Sequence, residues 1–348
     1  ICSRLSEDLY PLHFQLRMTN TSSVPLPFEY LQALQNLAAK TGSNDNKAIT
    51  FYKLAGRNIL FKIEALCRIY KSINDKKIFD PLNDQVKTAE DILGQYDFEV
   101  WFAQQFKSTE GSFYDNLSNG LIQFEKKFEV DFTATGFIPA NSGMYENISD
   151  QLKHVKWPAE REFAEQLTAF MIKKIEKIIK EYEEGTFDLS EPEEGIHELR
   201  RKIRWISIYA SVANGFIQLK PGPLPHPDLQ RYQTEEIIHS PFNELPKKPR
   251  GINPIQIQSP HFYALSWMIQ ELGVIKDRAL LNITFEDRIK SYKTEKSEVE
   301  KIRKKLDQNK SKLEDDIHYA TSIVDDFFKK HLILQRIIRD LQRTHSDA

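Results

Sequence analysis

Cysteine is nearly absent: only Cys2 and Cys67 occur in 348 residues, far apart in the sequence. Two cysteines so placed build no disulfide framework, and a reducing compartment is expected. No apolar run approaches the roughly 18 residues that cross a bilayer, so no membrane association is expected. The opening stretch "ICSRLSEDLYPLHF" lacks the unbroken apolar centre of a secretion signal, and a cytoplasmic location follows as the expectation. Glycine is scarce at 13, and the long charged stretches hold neither glycine nor proline, which favours helix over sheet. Neither sign of charge dominates: 48 basic and 50 acidic side chains leave a formal net charge of −2. That excludes a uniformly basic, histone-like molecule. Affinity for a polyanion would have to come from local clustering, and nucleic acid is not an expected partner.

The usual signatures of catalysis are missing as well. There is no G-x-x-x-x-G-K-[ST] phosphate loop, no G-x-G-x-x-G and no H-E-x-x-H. In "IHEL", Arg201 stands where a second zinc-binding histidine would be needed. "EVEK", 298–301, aims both glutamates one way only on a strand; on a helix Glu298 and Glu300 point apart. No enzyme, metal or cofactor is expected.

What is present is helix. Apolar residues make up 40% and charged residues 28%, enough for a core under a well-charged surface. Phe28, Leu31, Leu34, Leu37 and Ala38 recur at helical spacing, and "GSNDN" then offers N-caps for a long amphipathic segment over 47–73. Further helices are expected from about Asp80 to Gln105, over 110–130, and from Trp157 to a stop at Gly185. Eight prolines between 220 and 256 mark a long loop. Beyond it "SPHFYALSWMIQELG" is helical, and 278–344 reads as two long helices with a turn near "DQNK". The charge run at 286–316 fits an antiparallel hairpin within the domain better than a zipper. The fold class expected is all-α: two pseudo-repeated bundles of long antiparallel helices. Residues 1–23 read as a poorly ordered tail. The domain would cover 24–345, with halves at about 24–140 and 141–345 and the Pro-rich insertion in the second. Residues 86–101 and 265–280, both amphipathic with Leu-Gly at the same place, suggest the repeat.

One stretch, "IHELRRKIRW" at 196–205, gathers four cations and a histidine. On a helix turning about 100° per residue, Ile196, Leu199, Ile203, Ile206, Ala210 and Ala213 form an apolar seam. His197, Arg200, Arg201 and Arg204 share the adjoining sector. Like charges so spaced repel and call for partners. Acids on neighbouring helices are one solution, with Glu191, Glu193 and Glu194 just upstream. A phosphate-rich anion is the other, since guanidinium forks match phosphate oxygens.

"IHELRRKIRWISIY", followed by "IQELGVIKDRAL", resembles the second half of the CHAD family, the conserved histidine α-helical domain. The matching positions are His197, Arg200, Arg201, Arg204, Leu272, Gly273 and Asp277. The resemblance spans about 25–345 and implies two helical halves enclosing a basic cavity that binds inorganic polyphosphate. It further implies an association with polyphosphate or triphosphate enzymes. In the first half, "KLAGRNILFKIEALCRIY" and "EDILGQYDFEVW" depart from the pattern. Leu54 stands where a histidine would, Arg57 matches the motif arginine, and Lys62 and Lys53 are nearby basic positions. Asp97 falls one place early and Phe98 takes the acidic position. Polyanion contacts are therefore expected at His197, Arg200, Arg201 and Arg204, joined by Arg57, Lys62 and Lys53. If His197 acts as a cation, affinity should rise below about pH 6.5. The alternative is a helical scaffold or protein-interaction module that has lost the ligand, its basic helix paired to acids such as Glu191, Glu193 or Asp277.

Overall fold

A computed structural model describes residues 24, 27–42, 46–109, 111–221, 227–307 and 313–343. The expected tail, 1–23, lies outside the described residues. The fold is all-α apart from one small sheet. In the first half the helices are α1 Pro27–Ala39, α2 Lys47–Lys53, α3 Gly56–Ile73, α4 Lys76–Gln105 and α5 Ser112–Ala134, and α6 Met144–Lys153 opens the second. The second half also holds α7 Glu160–Glu183, α8 Glu198–Val212, α9 Glu235–Ile238, α10 Ser259–Tyr292, α11 Lys296–Asp307, α12 Leu313–Asp325 and α13 Ile333–Arg343. None of these helices is long and apolar enough to cross a membrane.

Several expected segments are divided or extended, each for a local reason. The 47–73 segment breaks at Ala55, whose φ is +60°, into α2 and α3. There Phe51 folds under the chain, and a Cβ on Gly56 would lie 2.1 Å from its ring. The ring packs on Phe132 at 5.0 Å. Asn46 makes no side-chain cap for α2. Glu129 does so from α5, accepting from the Ala48 and Ile49 amides at 2.8 and 3.0 Å. α4 starts at Lys76 rather than Asp80, because Asp75 caps the Lys77 amide and Pro81 is tolerated inside the helix. The C-terminal stretch is four elements rather than two helices. α10 runs unbroken to Tyr292, Lys293 turns the chain at φ +54°, and a π turn, Asp326–Lys330, separates α12 from α13. α10 and α11 form a hairpin, with Arg303 reaching Glu286 at 3.1 and 2.7 Å, but it turns at Lys293; of the turn expected near "DQNK", residues 308–310 lie outside the described residues. Glu298 has a structural use: its carboxylate accepts from Ser112 Oγ and the Phe113 amide, capping α5.

The Pro-rich insertion is not a structureless loop. Strands β1 Ile217–Lys220 and β2 Ile255–Gln258 close it as a parallel pair, Ile217 opposite Ile255. Between them lie 3₁₀ turns at Pro227–Tyr232 and Pro241–Asn243 and the single-turn α9. The alternation in "IQLK" and "IQIQ" was the signal for the strands. "PKKPRG" is seated against the turn before β1. Gly215 has φ +81°, and a Cβ there would meet the Lys247 carbonyl at 2.4 Å. Gln218 also donates to the Pro246 carbonyl at 2.7 Å.

One contiguous apolar core draws residues from both halves, from Val24 to Leu341. A second, smaller cluster lies apart from it. Phe102, Phe106, Phe113, Leu117, Phe285, Val299 and Ile302 join the far ends of α4 and α10 to α5 and α11. α8 runs through the main core packed on α3, α7 and α10. Its expected seam, Ile196 to Ala213, is buried throughout, and Trp205 and Tyr209 are buried on other sides.

Candidate anion-binding face

The helix carrying the basic cluster begins one turn earlier, and differently, than the sequence reading assumed. Pro192–His197 form a π turn that runs into α8. It depends on Gly195: a Cβ there would stand 1.7 Å from the Asp188 carbonyl oxygen. The wider turn carries Glu193 and Glu194 to the same opening as His197.

Both halves seat an arginine on the glycine of their Leu-Gly pair. In the second half, Arg200 of α8 lies over Gly273 of α10, and a Cβ on the glycine would come within 2.9 Å of the Arg200 Nε. That Nε donates to the Ile269 carbonyl at 2.9 Å. In the first half, Arg57 of α3 lies over Gly94 of α4, where a Cβ would be 2.8 Å from its Nη2. The two seats differ in charge. Arg57 donates from Nε and Nη2 to Glu90 Oε1 at 2.9 and 2.7 Å, and from Nη1 to Asp97 Oδ2 at 2.6 Å. Tyr52 donates to the other Asp97 oxygen at 2.5 Å. Glu90 and Asp97 stand four before and three after Gly94. The same places around Gly273 hold Ile269 and Lys276.

The remaining expected contacts divide. Arg201 is held by its own helix, donating to both Glu198 oxygens at 2.7 and 3.0 Å. Among the described residues Arg204 has no carboxylate partner; its guanidinium lies over the Phe61 ring at 4.8 Å. Arg57 lies over the same ring at 5.4 Å, so α3 and α8 do bring Arg57 and Arg204 together. Lys62 does not join them. Its ammonium lies over Tyr30 of α1 at 5.6 Å, and burial pulls its pKa below the usual lysine range. Lys53 is exposed at the end of α2. His197 keeps an enclosed Nδ1 without a hydrogen-bond partner. Burial holds its imidazole below its ordinary 6.5; Lys276, Arg200 and Arg201 push the same way, and only Glu193 opposes. Lys276, which the sequence reading passed over, is itself paired with Asp277 at 2.7 Å.

The face borders an open depression of about 550 Å³ lined by Asp91, Glu193, Glu194, His197, Glu198 and Arg201. Four carboxylates there face one guanidinium and one imidazole. α3 carries a buried ion pair of its own, Arg68 donating from Nε and Nη2 to Glu64 Oε1 at 3.0 and 2.6 Å, four residues apart on the same helix. The Arg68 guanidinium also lies 3.9 Å over the Trp205 ring. Among the described residues no cluster of His, Cys, Asp or Glu is placed to hold a metal.

Compared with protein-family models, curated proteins and solved structures, the chain finds no match in any of the three. The CHAD-like reading therefore stands on the motif residues named above.

Proposed function

We propose that this chain is a non-catalytic helical scaffold, a protein-interaction module on a CHAD-like frame whose arginines hold its own helices together. The observation that carries the reading is the capture of Arg57 by Glu90 and Asp97. A phosphate chain gripping Arg57 would have to displace Glu90, which is only 8% exposed. Stranding a buried carboxylate in this way costs about 3–5 kcal/mol. Asp91, Glu193, Glu194 and Glu198 at the opening would repel the same ligand.

A second reading keeps polyphosphate as the ligand of the second half alone, with His197, Arg200, Arg201 and Arg204 as contacts and a phosphate-processing enzyme as partner. It is favoured by Ile269 and Lys276 at the places where the first half has acids, and by Arg204 having no carboxylate partner among the described residues.

Long-chain polyphosphate binding at about 50 and about 200 mM salt distinguishes the two. Wild type and the Arg200→Ala/Arg204→Ala double variant are compared. The scaffold reading expects no binding by folded wild type at the lower salt. Tight wild-type binding that weakens by about 10-fold or more at the higher salt, and is lost in the double variant, replaces it with the second reading. In that event the contribution of His197 appears only below about pH 6.5, since burial favours its neutral form.

A further inference from the structure

Far from the basic face, the insertion is held to the body around one buried histidine. His331 ends the π turn before α13 and is 5% exposed. Its Nε2 is enclosed with no hydrogen-bond partner. The ring stands edge-on to Tyr232 at 5.5 Å and 86°. Tyr232 is fully buried, packs on Trp267 of α10 at 5.1 Å, and its own hydroxyl is enclosed without a partner. Arg231 covers both rings, 5.3 Å over Tyr232 and 5.0 Å over Trp267, and pairs with Asp326 of the π turn. The Pro227–Tyr232 turn is thus fixed by a neutral imidazole, a phenol and a cation packed within one small volume.

We propose that His331 is an acid-released latch for the Pro227–Tyr232 turn. A proton on Nε2 puts a cation where that nitrogen has no acceptor. The groups that face it are mixed in sign. Asp326 on the π turn and Asp228 on the insertion favour the proton, while Lys330 and Arg231 oppose it, and burial outweighs them all. Arg336 of α13 donates to the His331 carbonyl at 2.8 Å and fixes the backbone in place, leaving the side chain as the part that moves. Swinging the ring out relieves the buried charge and removes the support of Tyr232. The sign follows. The closed form disfavours the proton, and the open form accepts it with an ordinary histidine pKa near 6.5. The latch is closed above that pH and opens as the pH falls below it.

Hydrogen exchange of the 228–232 amides, corrected for intrinsic rates, tests this at about pH 7.5 and about pH 5.5. Protection is expected to fall by as much as about 10-fold in wild type at the lower pH and to stay level in His331→Gln. Unchanged wild-type protection overturns the proposal, as does a fall that persists in the variant. Should His331→Gln fail to fold, the ring titration of His331 by NMR in wild type decides. Titration below the ordinary value, together with loss of the Tyr232 contact, is the expected result. Titration at or above that value with the contact intact overturns the latch.

Discussion

Replacing Arg68 with leucine is expected to remove about 3–5 kcal/mol of stability. Glu64 is 1% exposed, and among the described residues the cation hydrogen-bonded to it is Arg68. The other Glu64 oxygen, Oε2, is already enclosed without a partner. Burial holds the Glu64 carboxyl above its ordinary range, with Arg68 pulling it back and Glu90 adding to the rise. Without Arg68 the carboxyl rises further. The native state then binds a proton that the unfolded chain has released, so the variant's stability falls as pH rises through the range above about 4.5. Arg68→Leu is therefore expected to be more stable near pH 5 than near pH 7.5 in denaturant titrations, relative to wild type. The double variant Glu64→Leu/Arg68→Leu removes both charges and is expected to recover most of the loss, because a buried pair is nearly neutral against apolar residues of like volume. A single-variant loss under about 1 kcal/mol, the level of an exposed pair, would show that Glu64 does not depend on Arg68 for its burial.

Gly195→Ala is the second large effect, expected at about 3 kcal/mol or more. The added methyl would meet backbone atoms only: the Asp188 oxygen at 1.7 Å, the Asp188 carbonyl carbon at 2.3 Å and the Leu189 nitrogen at 2.9 Å. No side chain can rotate out of the way. The 188–191 turn, held by the Glu191 amide on the Asp188 carbonyl and the Gly195 amide on the Glu191 carbonyl, must separate from the π turn. Gly251→Ala makes the control. Its φ is +86°, but nothing lies within 4 Å of its added Cβ, so backbone strain of about 1–3 kcal/mol is the whole cost. Thermal and denaturant midpoints of the two variants compare the effects. Equal losses at 195 and 251 would mean that the clash at 195 is absorbed by a small shift.

Helix type was legible from spacing alone wherever the apolar period ran long. The seam from Ile196 to Ala213 is buried as expected because six positions at one period outvote any single residue. Boundaries were less legible, because remote groups set them. Glu129 and Glu298 cap helices from more than 75 residues away in sequence, which no local pattern encodes. The strands β1 and β2 are four residues each, too short to compete with helical expectation before they are paired. The basic face was legible as a list of cations and not as a charge balance. Arg57 finds its acids on α4, and the positions that matter, four before and three after Gly94, become visible only once the guanidinium is known to sit on that glycine. Lys62 was placed on the face by spacing, while its ammonium packs over Tyr30 of α1.

The separate aromatic cluster at the far ends of α4 and α10 has a consequence for how the molecule comes apart. Those helices continue past the main core, and what fixes their ends is a small group of rings and aliphatics with no shared member. Such an arrangement makes a second cooperative unit. The end can melt while the rest stays native, fraying two long helices back to the point where the main core takes hold. Partial opening of this kind shortens the rigid body by unfolding one end of it. A molecule whose helices serve as spacers between partners would then have a built-in variable reach.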